Sequence, residues 1–173
     1  VGYFFYHLAR LLSRLVSNGY GITRLDLNMN EVKNKDTHPV LIVANHVSFT
    51  DPLFYTGLFP KRLLMYIASE LVINDEHNLK SFLLVHTGCI RINRNIYDIE
   101  GIRKATEALK KGHSVLIFPE GTLHHENSEE LSEIKSGAIL LAVQAGVPII
   151  PAYSLKRKHW YGKRVVVVGK GQQ

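Results

Sequence analysis

Two short apolar runs, Pro39-Val40-Leu41-Ile42-Val43-Ala44 and Ser114-Val115-Leu116-Ile117-Phe118, each pass without a spacer into a polar turn. The first turn reads Asn45-His46-Val47-Ser48-Phe49-Thr50-Asp51 and the second Pro119-Glu120-Gly121-Thr122. An apolar run with no polar alternation is the pattern of a strand buried on both faces, which occurs where helices cover a parallel sheet. Asp51-Pro52-Leu53-Phe54 then opens a helix, with Pro52 at a first-turn position where its missing N–H costs nothing. The chain is therefore constrained to strand, turn and helix in quick succession, with chemistry-bearing side chains in the turns.

The same alternation continues along the sequence. Further strands are expected at 22–28, 63–68, 89–92, 148–152 and 164–168, with Ile22 to Asn28 alternating as a half-exposed strand. Helical periodicity runs over 97–111, closed by Gly112, and over 135–144, closed by Gly146. The expected class is α/β, with a mixed, largely parallel central sheet flanked by helices and an amphipathic helix at the amino end. A length of 173 residues with 46% apolar content fits one domain, 1–173, divided into the helix at 1–19 and an α/β core at 20–173.

His46 is the natural base of such a site, because imidazole takes and gives protons near neutral pH. A carboxylate can hold one ring nitrogen protonated and leave the other as acceptor, and Asp51 is a candidate for that role. On an ideal helix residues five apart lie roughly 140° apart around the axis, so the pair cannot share a helix face. The turn must bring them together, with His46 hanging from the end of the strand and Asp51 at the mouth of the helix. The alternative for the pair alone is a turn histidine satisfied by a capping aspartate. Backbone N–H groups around Gly121 are candidates to bind an anion.

The series NHVSFTD at 45–51, Gly88-Cys89-Ile90-Arg91-Ile92-Asn93-Arg94, FPEGT at 118–122 and Val147-Pro148-Ile149-Ile150-Pro151 resembles the four blocks of the glycerolipid acyltransferase family, typified by bacterial 1-acylglycerol-3-phosphate acyltransferases. The resemblance runs from about Val40 to Tyr153. It implies His46 and Asp51 as the catalytic pair, and Gly88, Arg94, Glu120, Gly121 and Thr122 as binders of the acceptor. Asn45, Pro119, Pro148 and Pro151 are implied as supports. It further implies transfer of a fatty acyl group from acyl-CoA or an acyl-carrier protein, used as co-substrate without a cofactor, to the free hydroxyl of lysophosphatidate or another lysolipid or glycerol phosphate in phospholipid biosynthesis. Two departures stand out. Leu123 follows Thr122 where many members carry Arg or Ser, and Asn93 precedes Arg94 where an acidic residue is common, with the extra cation Arg91 three positions earlier.

Charge and amphipathicity bear on partners. The net charge of +6 is concentrated after Pro151, where Lys156, Arg157, Lys158, Lys163, Arg164 and Lys170 stand without an acidic residue and with Tyr153, Trp160 and Tyr161 among them. That mixture suits anionic lipid headgroups and the interfacial zone, and no nucleic-acid-binding motif accompanies it. Residues 3–16 place Phe4, Leu8, Leu11, Leu12 and Leu15 on one helical stripe, with Arg10, Ser13, Arg14 and Ser17 turned away. Such a helix either lies in the membrane interface or covers the core, and the interfacial reading is the expectation here. No apolar stretch reaches the roughly 20 residues that span a bilayer, and no signal-peptide pattern opens the chain. The expected location is the cytoplasmic face of a membrane, peripheral or monotopic.

Other chemistries are weaker. His124-His125-Glu126 lacks a spaced third ligand, so no metal is expected. Ser48 lacks a G-x-S-x-G elbow, and Gly19-Tyr20-Gly21 does not extend to a dinucleotide fingerprint. Arg103, Lys104, Lys110 and Lys111 could touch the phosphates of coenzyme A, though a solvated helix face is the plainer reading. Cys89 reads as a small buried filler. The rival functions are a CoA-independent transacylase, a thioesterase or hydrolase in which the same pair activates water, and a non-catalytic lipid-binding module.

Overall fold

Residues 41–44 and 115–117 do form adjacent central strands, and the rest of the molecule is arranged around them. The structure is a computed structural model that describes residues 2–19, 23–26, 38–48, 51–59, 64–69, 82, 86–93, 98–119, 137–155, 165–169 and 171–172. In chain order the elements are α1 (Gly2–Gly19), β1 (Thr23–Asp26), β2 (Leu41–Ala44), α2 (Asp51–Leu58), β3 (Leu64–Ser69), β4 (Cys89–Ile92), α3 (Ile99–Lys110), β5 (Ser114–Ile117), α4 (Gly137–Ala145), β6 (Ile149–Ser154) and β7 (Val165–Val168).

The strands form one seven-stranded sheet in the order β1-β7-β6-β2-β5-β3-β4. Five of them, β6 through β4 in that order, run parallel. β7 is antiparallel to β6 and carries β1 parallel to itself, so the last two strands are reversed. The sheet is mixed and largely parallel, as the alternation of strands and helices predicts.

Direction of travel decides which helix covers which face. The chain leaves β2 through α2 and moves outward to β3 and β4, then returns through α3 to β5 and through α4 to β6. Crossovers between parallel strands are right-handed, so reversing the direction of travel sends the later helices to the opposite face. The two cores show this division. Phe54, Tyr55 and Leu58 of α2 pack with Ile42, Ala44, Leu116 and Ile150 on one face. Ala105, Ala108 and Leu109 of α3 and Ala138, Leu141 and Ala142 of α4 pack with Leu41, Ile90 and Val115 on the other. β2 and β5 are thus neighbours whose outgoing connections part to opposite faces, which opens a crevice at their carboxyl ends.

Element ends follow local chemistry. The helix expected at 97–111 starts at Ile99, because the Asp98 side chain caps it by accepting from Gly101 N–H at 2.9 Å. It ends where Gly112 takes a left-handed conformation with φ 88°, which side chains disfavour. β6 runs two residues beyond its expected end because Ser154 pairs in register with Val166 and bonds the Asn45 carboxamide, while Leu155 N–H donates to Val165 O at 2.9 Å. The basic stretch 156–164, Lys170 and the acidic residues at 126–133 lie outside the described residues.

α1 corrects a simple amphipathic picture. It packs against α2, and it does so with its less apolar side: Ser13 is buried, and the Tyr6 hydroxyl accepts from Leu64 N–H at 2.8 Å at the start of β3. The stripe turns outward, leaving Phe4 68% and Leu11 56% exposed, with Leu8 and Leu12 also at the surface. No helix among the described residues is long and apolar enough to cross a membrane.

Candidate active site

His46 follows the end of β2 and Phe118 the end of β5, at the carboxyl ends of adjacent strands. β2 ends at Ala44, and the next residue continues the sheet with its side chain. Asn45 donates its Nδ2–H to Ser154 O at 2.9 Å and accepts from Ser154 N–H at 2.7 Å, so its carboxamide imitates one more backbone step of the β2–β6 ladder. That anchors the chain immediately before His46.

The turn then folds around one carboxylate oxygen. Asp51 Oδ2 accepts from Val47 N–H at 2.8 Å and Ser48 N–H at 2.8 Å and lies 3.0 Å from His46 Nδ1. Asp51 N–H in turn donates to Ser48 O at 3.0 Å. Asp51 is the first residue of α2 and its side chain is fully buried, where the amino-terminal end of a helix favours negative charge. The five-residue spacing that no helix face accommodates is met by a turn closed on its own acid.

An ionised carboxylate only accepts, so the 3.0 Å contact fixes the proton on Nδ1 of a neutral imidazole and makes Nε2 the basic nitrogen. Phe118 fixes the remaining freedom. Its ring stacks on the His46 ring with centroids 4.2 Å apart and planes 15° from parallel. With one face covered and one edge tied to Asp51, the imidazole is held in orientation while its side chain keeps 17% exposure. A buried acid and a base held in orientation are the equipment for general-base removal of a proton from a hydroxyl or from water.

Other residues implied by the resemblance are distributed unevenly. Asn45 and Pro119 stand beside the dyad, Pro119 being buried next to Phe118. Gly88 is not brought to it: it precedes β4, at the amino end of the sheet, with φ 91° and its Cα against the Tyr6 ring. Pro148 also sits at the amino end, where its carbonyl accepts from Leu41 N–H at 3.0 Å. Pro151 pairs in register with Val43 within β6 and packs against Gly169. These three have structural work in the sheet. Arg94, Glu120, Gly121 and Thr122 lie outside the described residues. Phe118, Ser154 and the Val47 and Ser48 amides are the contributors that sequence reading did not single out, and only the run of Phe118 into Pro119 offered a signal.

Residues 26–155 match the family model described as Acyltransferase. The chain belongs to the acyltransferase family. Among its acyltransferase relatives are 1-acyl-sn-glycerol-3-phosphate acyltransferase alpha of Mus musculus, 34% identical over 131 residues that make up 74% of this chain and 44% of that protein, and 1-acyl-sn-glycerol-3-phosphate acyltransferase beta of Homo sapiens, 32% identical over 149 residues, 77% of this chain and 50% of that one. The chain spans about half the length of the curated relatives it matches. The crystal structure of the 1-acyl-sn-glycerophosphate (LPA) acyltransferase PlsC from Thermotoga maritima shares the acyltransferase fold with a TM-score of 0.70 at 18% identity, over 96% of this chain and 68% of that one.

Proposed function

We propose that the protein transfers a fatty acyl group from an acyl thioester, acyl-CoA or acyl-carrier protein, to the free hydroxyl of lysophosphatidate. The observation that carries the reading is the His46–Asp51 pair, 3.0 Å apart at the crevice of a chain whose relatives are named for this reaction. His46 Nε2 takes the proton of the acceptor hydroxyl as its oxygen attacks the thioester carbonyl. Asp51 stabilises the imidazolium that forms. The tetrahedral adduct collapses with cleavage of the carbon–sulfur bond, and the thiolate, a good leaving group, can take back the proton held by His46. Base assistance of this kind contributes ~10²–10⁴-fold. Arg94, Glu120, Gly121 and Thr122 are the proposed acceptor-binding residues, on the strength of their place in the family blocks.

The proposed location is the cytoplasmic face of a membrane, where lysolipid acceptors reside, with contact made by α1. The outward apolar stripe of Phe4, Leu8, Leu11 and Leu12 supports this, since a helix whose only job was to cover the core would turn that stripe inward.

The test is release of free thiol from a long-chain acyl-CoA in detergent or liposomes, with and without lysophosphatidate, for the wild type and His46→Ala. Release that requires lysophosphatidate and disappears in the variant is the expected result. Release without acceptor would replace the transferase by a thioesterase; silence with both acyl-CoA and acyl-carrier-protein donors would sink the reading.

A further inference from the structure

Beside the edge strand β4 and against α3 lies a groove of about 460 Å³, the volume of a small-molecule site. Met65, Ile90 and Ala108 give it an apolar floor, and Lys104, Lys111 and His113 stand around it. Its place in the fold sets it apart from the dyad. Met65 is the second residue of β3, Cys89 opens β4 and His113 immediately precedes β5, so the groove lies toward the amino ends of the strands. Ile90 and Ala108 belong to the core on the α3 face. His46 and Phe118 follow the carboxyl ends of their strands, and Asp51 opens α2 on the other face, so the sheet stands between the groove and the dyad.

The end of α3 is shaped to bring its polar side chains to this volume. Gly112, at φ 88°, reverses the chain, and the N–H groups of Gly112 and His113 donate to Leu109 O and Ala108 O, both at 3.0 Å, so these carbonyls of the last turn are occupied. Lys111 stands just before the reversal and His113 just after it, while Lys104 lies on the same helix face about two turns back. The nearby carboxylates are engaged elsewhere, since Arg103 bonds both Glu100 and Glu107. Lys104 keeps a loose pairing with Glu100 at 3.5 Å, and among the described residues Lys111 has no ion-pair partner. Cys89 also lines the groove, and burial pushes its thiol up to about 12, so it adds no negative charge. Two ammonium groups and an imidazole over an apolar floor fit a phosphate group carried on an apolar or flat body. We propose that this groove is a second ligand site, separate from the dyad, that binds a phosphate-bearing small molecule or headgroup. Lys104 and Lys111 pair with the phosphate, His113 donates a ring N–H, and the floor takes the body of the ligand. The site stands whichever reaction the dyad performs.

The experiment measures binding of adenosine 5′-monophosphate by calorimetry, with adenosine, inorganic phosphate, and vesicles of phosphatidylglycerol or of phosphatidylcholine as parallel probes. It compares the wild type with Lys104→Glu and Lys111→Glu, with Lys110→Glu, which lines a neighbouring groove instead, and with Arg94→Ala from the proposed acceptor set. Lys104, Lys110 and Lys111 are all exposed, so folding is checked by the melting temperature. The expected result is that the monophosphate binds more tightly than adenosine or inorganic phosphate, is weakened about tenfold by either Lys104→Glu or Lys111→Glu, and is unaffected by Lys110→Glu and Arg94→Ala. Both groove variants keep the wild-type acceptor-dependent turnover. If the natural ligand is a lipid headgroup, preference for phosphatidylglycerol over phosphatidylcholine vesicles shows the same dependence on Lys104 and Lys111 in place of the nucleotide. The proposal is overturned if no probe depends on these two lysines, or if adenosine binds as tightly as its monophosphate. Equal weakening by Lys110→Glu would overturn it by marking diffuse surface charge, and loss of binding in Arg94→Ala by placing the phosphate at the acceptor site. A fall in turnover in the groove variants would overturn the separation from the dyad.

Discussion

Replacing Asp51 by Asn separates the charge of the acid from its architecture. The carboxamide oxygen is positioned to keep the bonds from Val47 and Ser48 N–H that close the turn, both now 2.8 Å, so the loop retains its shape. What disappears is the attraction between a full negative charge and the imidazolium formed as His46 takes a proton. Asp51 is fully buried and the two groups touch at 3.0 Å, which gives charge centres roughly 4 Å apart. At an effective dielectric constant near 20 that attraction is about 4 kcal/mol. Carried wholly into the transition state it corresponds to about a thousandfold in rate. The predicted outcome is a kcat lower by about 10³ with KM for both substrates unchanged, measured as acceptor-dependent thiol release. Asp51→Ala adds the loss of the two backbone bonds and lowers the melting temperature as well, which Asp51→Asn does not. A folded Asp51→Asn enzyme within tenfold of the wild-type kcat would refute the assignment of Asp51 as the electrostatic partner.

Four further outcomes follow from the structure. Asn45→Asp sets a carboxylate oxygen against Ser154 O in place of the donor now 2.9 Å away and is expected to cost about 1–3 kcal/mol in urea unfolding, with a parallel loss of activity. Phe118→Leu preserves apolar bulk but removes the stack on His46, so kcat falls between about tenfold and a hundredfold while stability changes by about 1 kcal/mol; an unchanged kcat would show that the stack does not orient the base. Asp98 is held below the usual carboxylate range by the backbone N–H groups of Gly101 and Asn93. Its stabilising contribution is therefore complete above its unfolded value and lost as pH falls through the lower folded value, so Asp98→Asn lowers stability at neutral pH and flattens the acid limb of the profile, as urea unfolding across pH checks. Phe4→Glu combined with Leu11→Glu weakens liposome binding by about 2 kcal/mol, some thirtyfold, without moving the melting temperature, because both side chains already face outward; unaltered binding would remove α1 from the membrane contact.

The central strands were legible because burial on both faces leaves an unbroken apolar run, as at Leu41 to Ala44 and Val115 to Ile117, and a strand ending in a polar turn is hard to mistake. The dyad was legible because His46 and Asp51 carry chemistry that a turn must serve. Orientation was not. Nothing in the residue types of α1 says that its apolar stripe faces away from α2, since a helix against a protein core and a helix against lipid present the same periodicity. Nor could sequence separate glycines and prolines that shape the sheet from those beside the site. Gly88 and Pro148 share blocks with family site residues, yet they meet Tyr6 and Leu41 at the amino end of the sheet, a fact of topology rather than composition. Phe118 looked like the last residue of a buried strand, and its second role appears only when β5 lies next to β2.

The side chain of Asn45 has a consequence for how such a protein changes. By riveting the histidine turn to β6, it makes the reactive geometry a property of the sheet, which is the part of the molecule least free to drift. A change in either strand that shifts the β2–β6 register therefore reaches His46 without touching it.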